Sequence, residues 1–339
     1  MKDIFHGHYH PTHEDFWENC IFVFDTNVLL DLFRLSERST TRLLEIMEAQ
    51  KERIWLPYQV AEEYHRNLNA TICGQAKRCQ EIIDLQNRLL ELLRTKKYQS
   101  FLGDIPQEVS PHLEELGDKL KGKKIEIQEL LHCNKTKERI AEIFHGKIGK
   151  QANLEDKEKW CKDAEERYKK KIPPGFSDTK KDAPECYGDY LVWRELIEYA
   201  KESRKPILFV SGDTKEDWVC KANGQYIGPH PDLCYEFKDE TSGQSYYSYT
   251  LDGFLKEYSQ IIEKTTNTPE DHEAIIQEIL EREEEPMFKS PSSHSSLGEI
   301  SPDNESNMFK SPSSHSTLGE IPPDNESKTT ITDSDSIMG

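Results

Sequence analysis

The runs IFVF (21–24) and ILFV (207–210) constrain the fold of this chain more than any other feature. Four apolar residues in a row, without alternation, mark a strand buried on both faces. Such strands belong to parallel sheets covered by helices on either side. Each run then stops at an acid: Asp25 follows Phe24 directly, and Asp213 follows Val210 after Ser211 and Gly212. In open α/β sheets, ligands bind outside the carboxyl ends of the strands. Asp25 and Asp213 are therefore expected to share one crevice at the edge of a parallel central sheet.

The α/β character runs from residue 16 to 265, interrupted over 66–165 by a largely helical, charged stretch. Within that stretch Ile82, Leu85, Leu89 and Leu92 recur at helical spacing, as do Leu113, Leu116 and Leu120, which predicts a coiled-coil-like helical hairpin that packs on itself. From residue 266 the composition changes. MFKSPSSHSSLGEISPDNESN (287–307) is followed by the near-copy MFKSPSSHSTLGEIPPDNESK (308–328), rich in Ser, Pro and Glu. Such a segment buries too little apolar surface to offset its ordering entropy, so 266–339 reads as a disordered acidic tail.

Net charge says little about partners, because −12 of the chain's −19 lies in 266–339 and leaves −7 for the rest. Eight cysteines stand singly with no C-x-x-C pair, which argues against a zinc site or a disulfide framework. No apolar stretch approaches the ~18 residues of a membrane span, and the first twenty residues hold no signal-like apolar core. A cytoplasmic protein with no membrane partner is the expectation. The alternating histidines at 6, 8, 10 and 13 read as incidental.

Further acids stand at similar junctions. Glu62 and Glu63 follow WLPYQV, Asp189 opens the helix GDYLVWRELIEYAKES, and Asp217 follows Asp213 by four residues in GDTKEDW. Capping alone would explain Asp189, and Asp217 could be a surface acid beside Trp218. Two adjacent glutamates cannot both face inward from one helix. Four or five carboxylates in one crevice repel each other unless cations neutralise them, and all-oxygen ligation suits Mg²⁺ or Mn²⁺. The stretch RYKKKIPPGFSDTKK (167–181) interleaves six basic residues with Tyr168 and Phe176, which fits a groove for single-stranded nucleic acid as well as a solvated basic face.

The ordered set FDTNVLLDLFR, RIWLPYQVAEEYHRN, ERYKKKIPPGFSDTKK, YGDYLVWRELIEYAK and ILFVSGDTKEDW resembles the PIN-like nucleases, in particular those with a long helical insertion. The resemblance implies a Rossmann-like three-layer α/β/α sandwich that cuts nucleic-acid backbones with Mg²⁺ or Mn²⁺, RNA ahead of DNA. It assigns catalysis and metal binding to Asp25, Glu63, Asp189, Asp213 and Asp217. Glu63 is preferred over Glu62 because Pro57, Val60, Glu63 and Tyr64 fit the pattern P-x-x-V-x-x-E followed by an apolar or aromatic residue. Asn27, Lys170, Lys171, Lys180, Lys181 and Lys215 are the expected nucleic-acid contacts, with Lys215 also able to neutralise the acids. Related sequences often carry a further acid where Gly212 stands here. Two rivals follow from the same residues. A haloacid-dehalogenase-type phosphatase would need a second acid at Asn27, and an inactive interaction module would bind protein partners through the helical insertion or the tail.

Overall fold

A computed structural model describes residues 14–178, 183, 185–265 and 269–284. The tail repeats, Lys180, Lys181 and the N-terminal histidines lie outside the described residues. The chain opens with α1 (Glu14–Asn19), β1 (Ile21–Phe24), α2 (Thr26–Asp31), α3 (Glu37–Ala49) and β2 (Ile54–Trp55). The inserted region contains α4 (Tyr58–Arg94), α5 (Lys96–Leu102), α6 (Ile105–Glu129), α7 (Lys135–Ile143) and α8 (Leu154–Lys169). The second half runs α9 (Gly188–Ser203), β3 (Ile207–Val210), β4 (Val219–Ala222), β5 (Gln225–Pro229), α10 (Pro231–Glu240), β6 (Tyr246–Tyr249), α11 (Leu251–Ile261) and α12 (Glu270–Glu284).

Strands β2, β1, β3 and β6 form, in that order, one parallel sheet, while β4 and β5 make a separate antiparallel pair. Register explains why the strands read as unbroken apolar runs. Phe24, Val210 and Tyr249 lie level, and on their face Phe22, Phe24 and Tyr249 pack with Trp17 of α1 and Phe254 of α11. On the other face Phe209 meets Trp218, and Tyr246 meets Trp193 of α9 and Phe237 of α10. Both faces are dry, and helices cover each. The three-layer α/β arrangement that the resemblance implied is the one observed.

The insertion is a helical hairpin, but it packs on a different stripe from the one expected. The first turns of α4 sit in the main core through Val60, Tyr64, Leu68 and Ile72. Further along, α4 leaves the core and packs against α6 through Ile83, Gln86, Leu90 and Leu93. Gly117 of α6 allows the close approach: a Cβ there would stand 2.8 Å from Gln86 Oε1. Ile82, Leu85, Leu89 and Leu92, the stripe read as the packing face, remain exposed, as does Leu116. An arm two helices thick covers one face of each helix, and here that face lies one residue further along.

The expected boundary at 265 is also corrected. α12 packs on α3 and α11 and puts Ile275, Ile276 and Ile279 into the main core. Its Glu278 accepts hydrogen bonds from Ser36 Oγ (2.6 Å), Ser36 N–H (2.8 Å) and Ser39 Oγ (2.7 Å), so it caps the start of α3 from another element. Three isoleucines at i, i+1 and i+4 outweigh an otherwise acidic composition. Among the described residues no helix is long and apolar enough to cross a membrane.

Candidate functional site

Parallel register brings the ends of β1 and β3 side by side. Asp25 N–H donates to Val210 O (2.9 Å), which fixes the first acid beside Ser211. Asp25 caps α2: its Oδ1 accepts from Thr26 N–H at 2.7 Å. Its Oδ2 accepts from Ser211 Oγ (2.6 Å) and Asn27 Nδ2 (2.7 Å). Removal from water pushes the Asp25 carboxyl up to about 6; the Ser211 bond pulls it down, and the charges of Glu63 and Asp213 push it up.

Asn27, expected at nucleic acid, is instead a brace. Its amide donates to Asp25 and to Ser211 Oγ (3.2 Å), and its Oδ1 accepts Gly212 N–H at 2.8 Å. Both ends of the amide are committed to joining the two strand exits.

Glu63 reaches the same crevice from the second turn of α4. Thr26 Oγ1 donates to Glu63 Oε2 (3.2 Å) and Gln59 Nε2 to Glu63 Oε1 (2.8 Å). Pro57 offers α4 no side-chain cap. Glu195 of α9 supplies one by accepting Gln59 N–H at 3.1 Å, and burial raises its carboxyl to about 7. This cap was not legible in the sequence, because it joins helices 136 residues apart. Glu62 turns outward to Arg66 (3.5 Å). The start of α9 closes the crevice: a Cβ on Gly188 would lie 2.6 Å from Glu63 Oε1. Asp189 follows in the first turn of α9. Burial raises its carboxyl to about 7, Lys215 pulls it down, and Asp213, Asp178 and Asp25 push it up.

The fourth corner is built around a lysine. Lys215 Nζ stands 2.8 Å from Asp213 Oδ2, 3.0 Å from Asp178 Oδ1 and 3.7 Å from Asp189 Oδ2. These charges and hydrogen bonds raise the Lys215 ammonium well above its ordinary range, overcoming the opposing effect of burial. Asp178 was missed as a site residue because it hides in the basic stretch 167–181. Asp217, expected as a fifth ligand, does another task. It is fully buried, and its Oδ2 accepts the backbone N–H groups of Gly175 (3.0 Å) and Ser177 (2.8 Å), tethering the loop that carries Asp178.

Of the basic stretch, Lys170 and Lys171 are exposed just past the end of α8. Arg167 is held inside by Glu236 (2.6 Å). Tyr168 is buried with its hydroxyl on Cys186 O (3.1 Å), so its ring is not available for base stacking.

Among the described residues no three His, Cys, Asp or Glu side chains are arranged to hold a metal ion as they stand. Three of the acids stand instead around the Lys215 ammonium. The donor set itself fits a hard divalent cation: every candidate ligand is a carboxylate oxygen. Asp189 Oδ2 is buried without a hydrogen-bond partner, the kind of atom a cation would satisfy.

A family model described as PIN like domain matches residues 21–233. No curated protein and no solved structure matches the chain.

Proposed function

Since the chain belongs to the PIN-like domain family, we propose that its carboxylate crevice makes it a Mg²⁺- or Mn²⁺-dependent endonuclease that hydrolyses phosphodiester bonds of single-stranded RNA. The ring of acids around Lys215 supports this best. Asp25, Glu63, Asp178, Asp189 and Asp213 crowd one crevice with the Lys215 ammonium among them, and burial raises Asp25 to about 6 and Asp189 to about 7. Raised carboxyls gathered where parallel strands end favour a functional site.

Asp25, Glu63, Asp189 and Asp213 would hold the metal. When bound, a divalent ion supplies a water-derived hydroxide at neutral pH and offsets charge on the reacting phosphate. Asp25 and Asp189 must lose their protons to act as ligands, so affinity rises with pH through about 6 to 7. Ser211, Asn27, Thr26 and Gln59 fix the carboxylates of Asp25 and Glu63 by direct hydrogen bonds. Lys215 neutralises the acids in the metal-free site, and with a metal held there it would supply a cation for a substrate phosphate. Lys170, Lys171, Lys180 and Lys181, in the stretch that leads to Asp189, are the phosphate contacts of this reading.

The preference for RNA rests on the resemblance to PIN-like nucleases. Incubating the protein with labelled single- and double-stranded RNA and DNA, with Mn²⁺, Mg²⁺ or EDTA, tests both levels. Cleavage of single-stranded RNA with metal, lost in EDTA and in Asp189→Asn, is the expected result. No cleavage of any polymer with either ion overturns the nuclease reading, and faster cleavage of DNA overturns the choice of RNA.

A further inference from the structure

We propose that the α4–α6 hairpin is a self-association arm, which pairs with the hairpin of a second copy of this chain to form a four-helix bundle. The apolar side chains Ile82, Leu85, Leu89 and Leu92 are spaced 3-4-3, the a/d repeat of a coiled-coil seam, yet they are 43–65% exposed. At ~100° per residue this stripe lies roughly 100° around α4 from the line that meets α6. Val109 and Leu116 lie roughly 80° around α6 from its own contact line, in the same rotational sense. Because the two helices are antiparallel, equal-sense turns bring both sets to one side of the hairpin. Six half-exposed residues of this size leave on the order of 500 Å² of apolar surface, near the upper end for a monomer. With its polar rim this approaches the ~800 Å² per partner of a standard interface.

Charge selects the partner. Within the hairpin, Gln86 abuts Gly117, and Lys124 Nζ meets Gln80 Oε1 at 2.7 Å, so residue numbers at one level sum to 203 or 204. A two-fold axis parallel to the helices sets α4 of one copy on α6 of the other at these same levels. Glu81 then faces Lys123 of the second copy, and Arg78 faces its Glu126. Both pairs are of opposite sign, and each occurs twice in the dimer. The levels that pair α4 with α6 inside one hairpin pair them again between two copies, a match that an unrelated partner would not repeat.

Sedimentation of the full chain tests this. The wild type should run as a dimer, and Leu85→Asp with Leu89→Asp should run as a monomer with an unchanged circular dichroism spectrum. Lys123→Glu, an exposed change that leaves the fold alone, should weaken the dimer at least tenfold, and adding Glu81→Lys should restore it. A monomeric wild type at the highest soluble concentration overturns the proposal. So does a Lys123→Glu protein that dimerises like the wild type, or one that Glu81→Lys fails to rescue.

Discussion

Replacing Asp25 with Asn should cost stability at pH 4 but not at pH 7.5 in protein stripped of divalent metal. In the folded chain, burial holds the Asp25 carboxyl at about 6 rather than 3.8. Between those values the folded state keeps a proton that the unfolded chain has released, so stability falls as pH rises through the window. The gap corresponds to at most about 3 kcal/mol, since part of the residue still touches solvent. The loss is complete by pH 7.5, and an asparagine does not suffer it. The asparagine has a cost of its own that does not vary with pH. It keeps Oδ1 for Thr26 N–H and can donate to Ser211 Oγ, but it turns an N–H toward Asn27 Nδ2, whose 2.7 Å bond is lost. A donor stranded in this way costs about 1–3 kcal/mol. Asp25→Asn should therefore be less stable than wild type by about that amount at pH 4, and equal or more stable at pH 7.5. Urea titrations of both proteins in EDTA at the two pH values give the difference directly. An identical effect at both, or a larger loss at pH 7.5, would refute the reasoning, because it would mean that the folded pocket welcomes the charge. Adding Mn²⁺ at pH 7.5 should then raise the melting temperature of the wild type and leave that of the variant nearly unchanged.

Lys215→Met removes the ammonium that three acids share. Mn²⁺ should bind at least tenfold more tightly by calorimetry, while the metal-free protein melts lower at pH 7.5; weaker binding would show that Lys215 does not occupy the cation's position. Gly188→Ala sets a methyl against Glu63 Oε1 in the first turn of α9. The variant should fold as well as wild type, helped by up to about 1 kcal/mol of helix propensity, yet lose roughly tenfold in Mn²⁺ affinity, and unchanged affinity would remove Glu63 from the metal site. Truncation after residue 265 exposes the core face that Ile275, Ile276 and Ile279 cover, at ~1.5–3 kcal/mol for each side chain. It should lower the melting temperature by on the order of 10 °C, whereas truncation after 284 should not. Equal melting of the two truncations would mean that α12 contributes nothing to the fold.

The features legible in the sequence were those whose signal is local. An apolar run of four with an acid at its end states, within five or six residues, both that a strand is buried on two faces and that it ends at something charged. That located Asp25 and Asp213, and the parallel register of Phe24 with Val210 did the rest. Glu63 and Asp189 stand just inside helix starts next to the strands, so their approach followed once the sheet order was granted. The hairpin was legible as helices but not as a packing choice. Ile82-Leu85-Leu89-Leu92 and Ile83-Gln86-Leu90-Leu93 are both helical stripes, and only the position of Gly117 opposite Gln86 decides between them. α12 was hidden for a different reason: averaging over an acidic, Ser/Pro-rich region dilutes three isoleucines that act within one turn of helix.

The acids around Lys215 mark where local reading stops. GDTKEDW presents Asp213 and Asp217 four residues apart, as if both flanked Lys215 on one helical turn. No helix forms there: Asp213 Oδ1 accepts Lys215 N–H (2.9 Å) in a tight turn, which folds the lysine back over Asp213. Asp217 is left to find its partners 40 residues upstream, at Ser177 N–H. By fixing that loop it delivers Asp178 to the ammonium in its own stead. One buried aspartate therefore reaches the crevice only through another, and a substitution at Asp217 should loosen the site without removing a ligand from it. Asp217→Asn can retain an acceptor for Gly175 and Ser177 and should leave Mn²⁺ affinity near wild type. Asp217→Ala removes both bonds, should free the loop, and should separate Lys215 from Asp178. A directly ligating Asp217 would instead lose metal affinity to a similar extent in both variants, so the ratio of the two Mn²⁺ dissociation constants distinguishes a tether from a ligand.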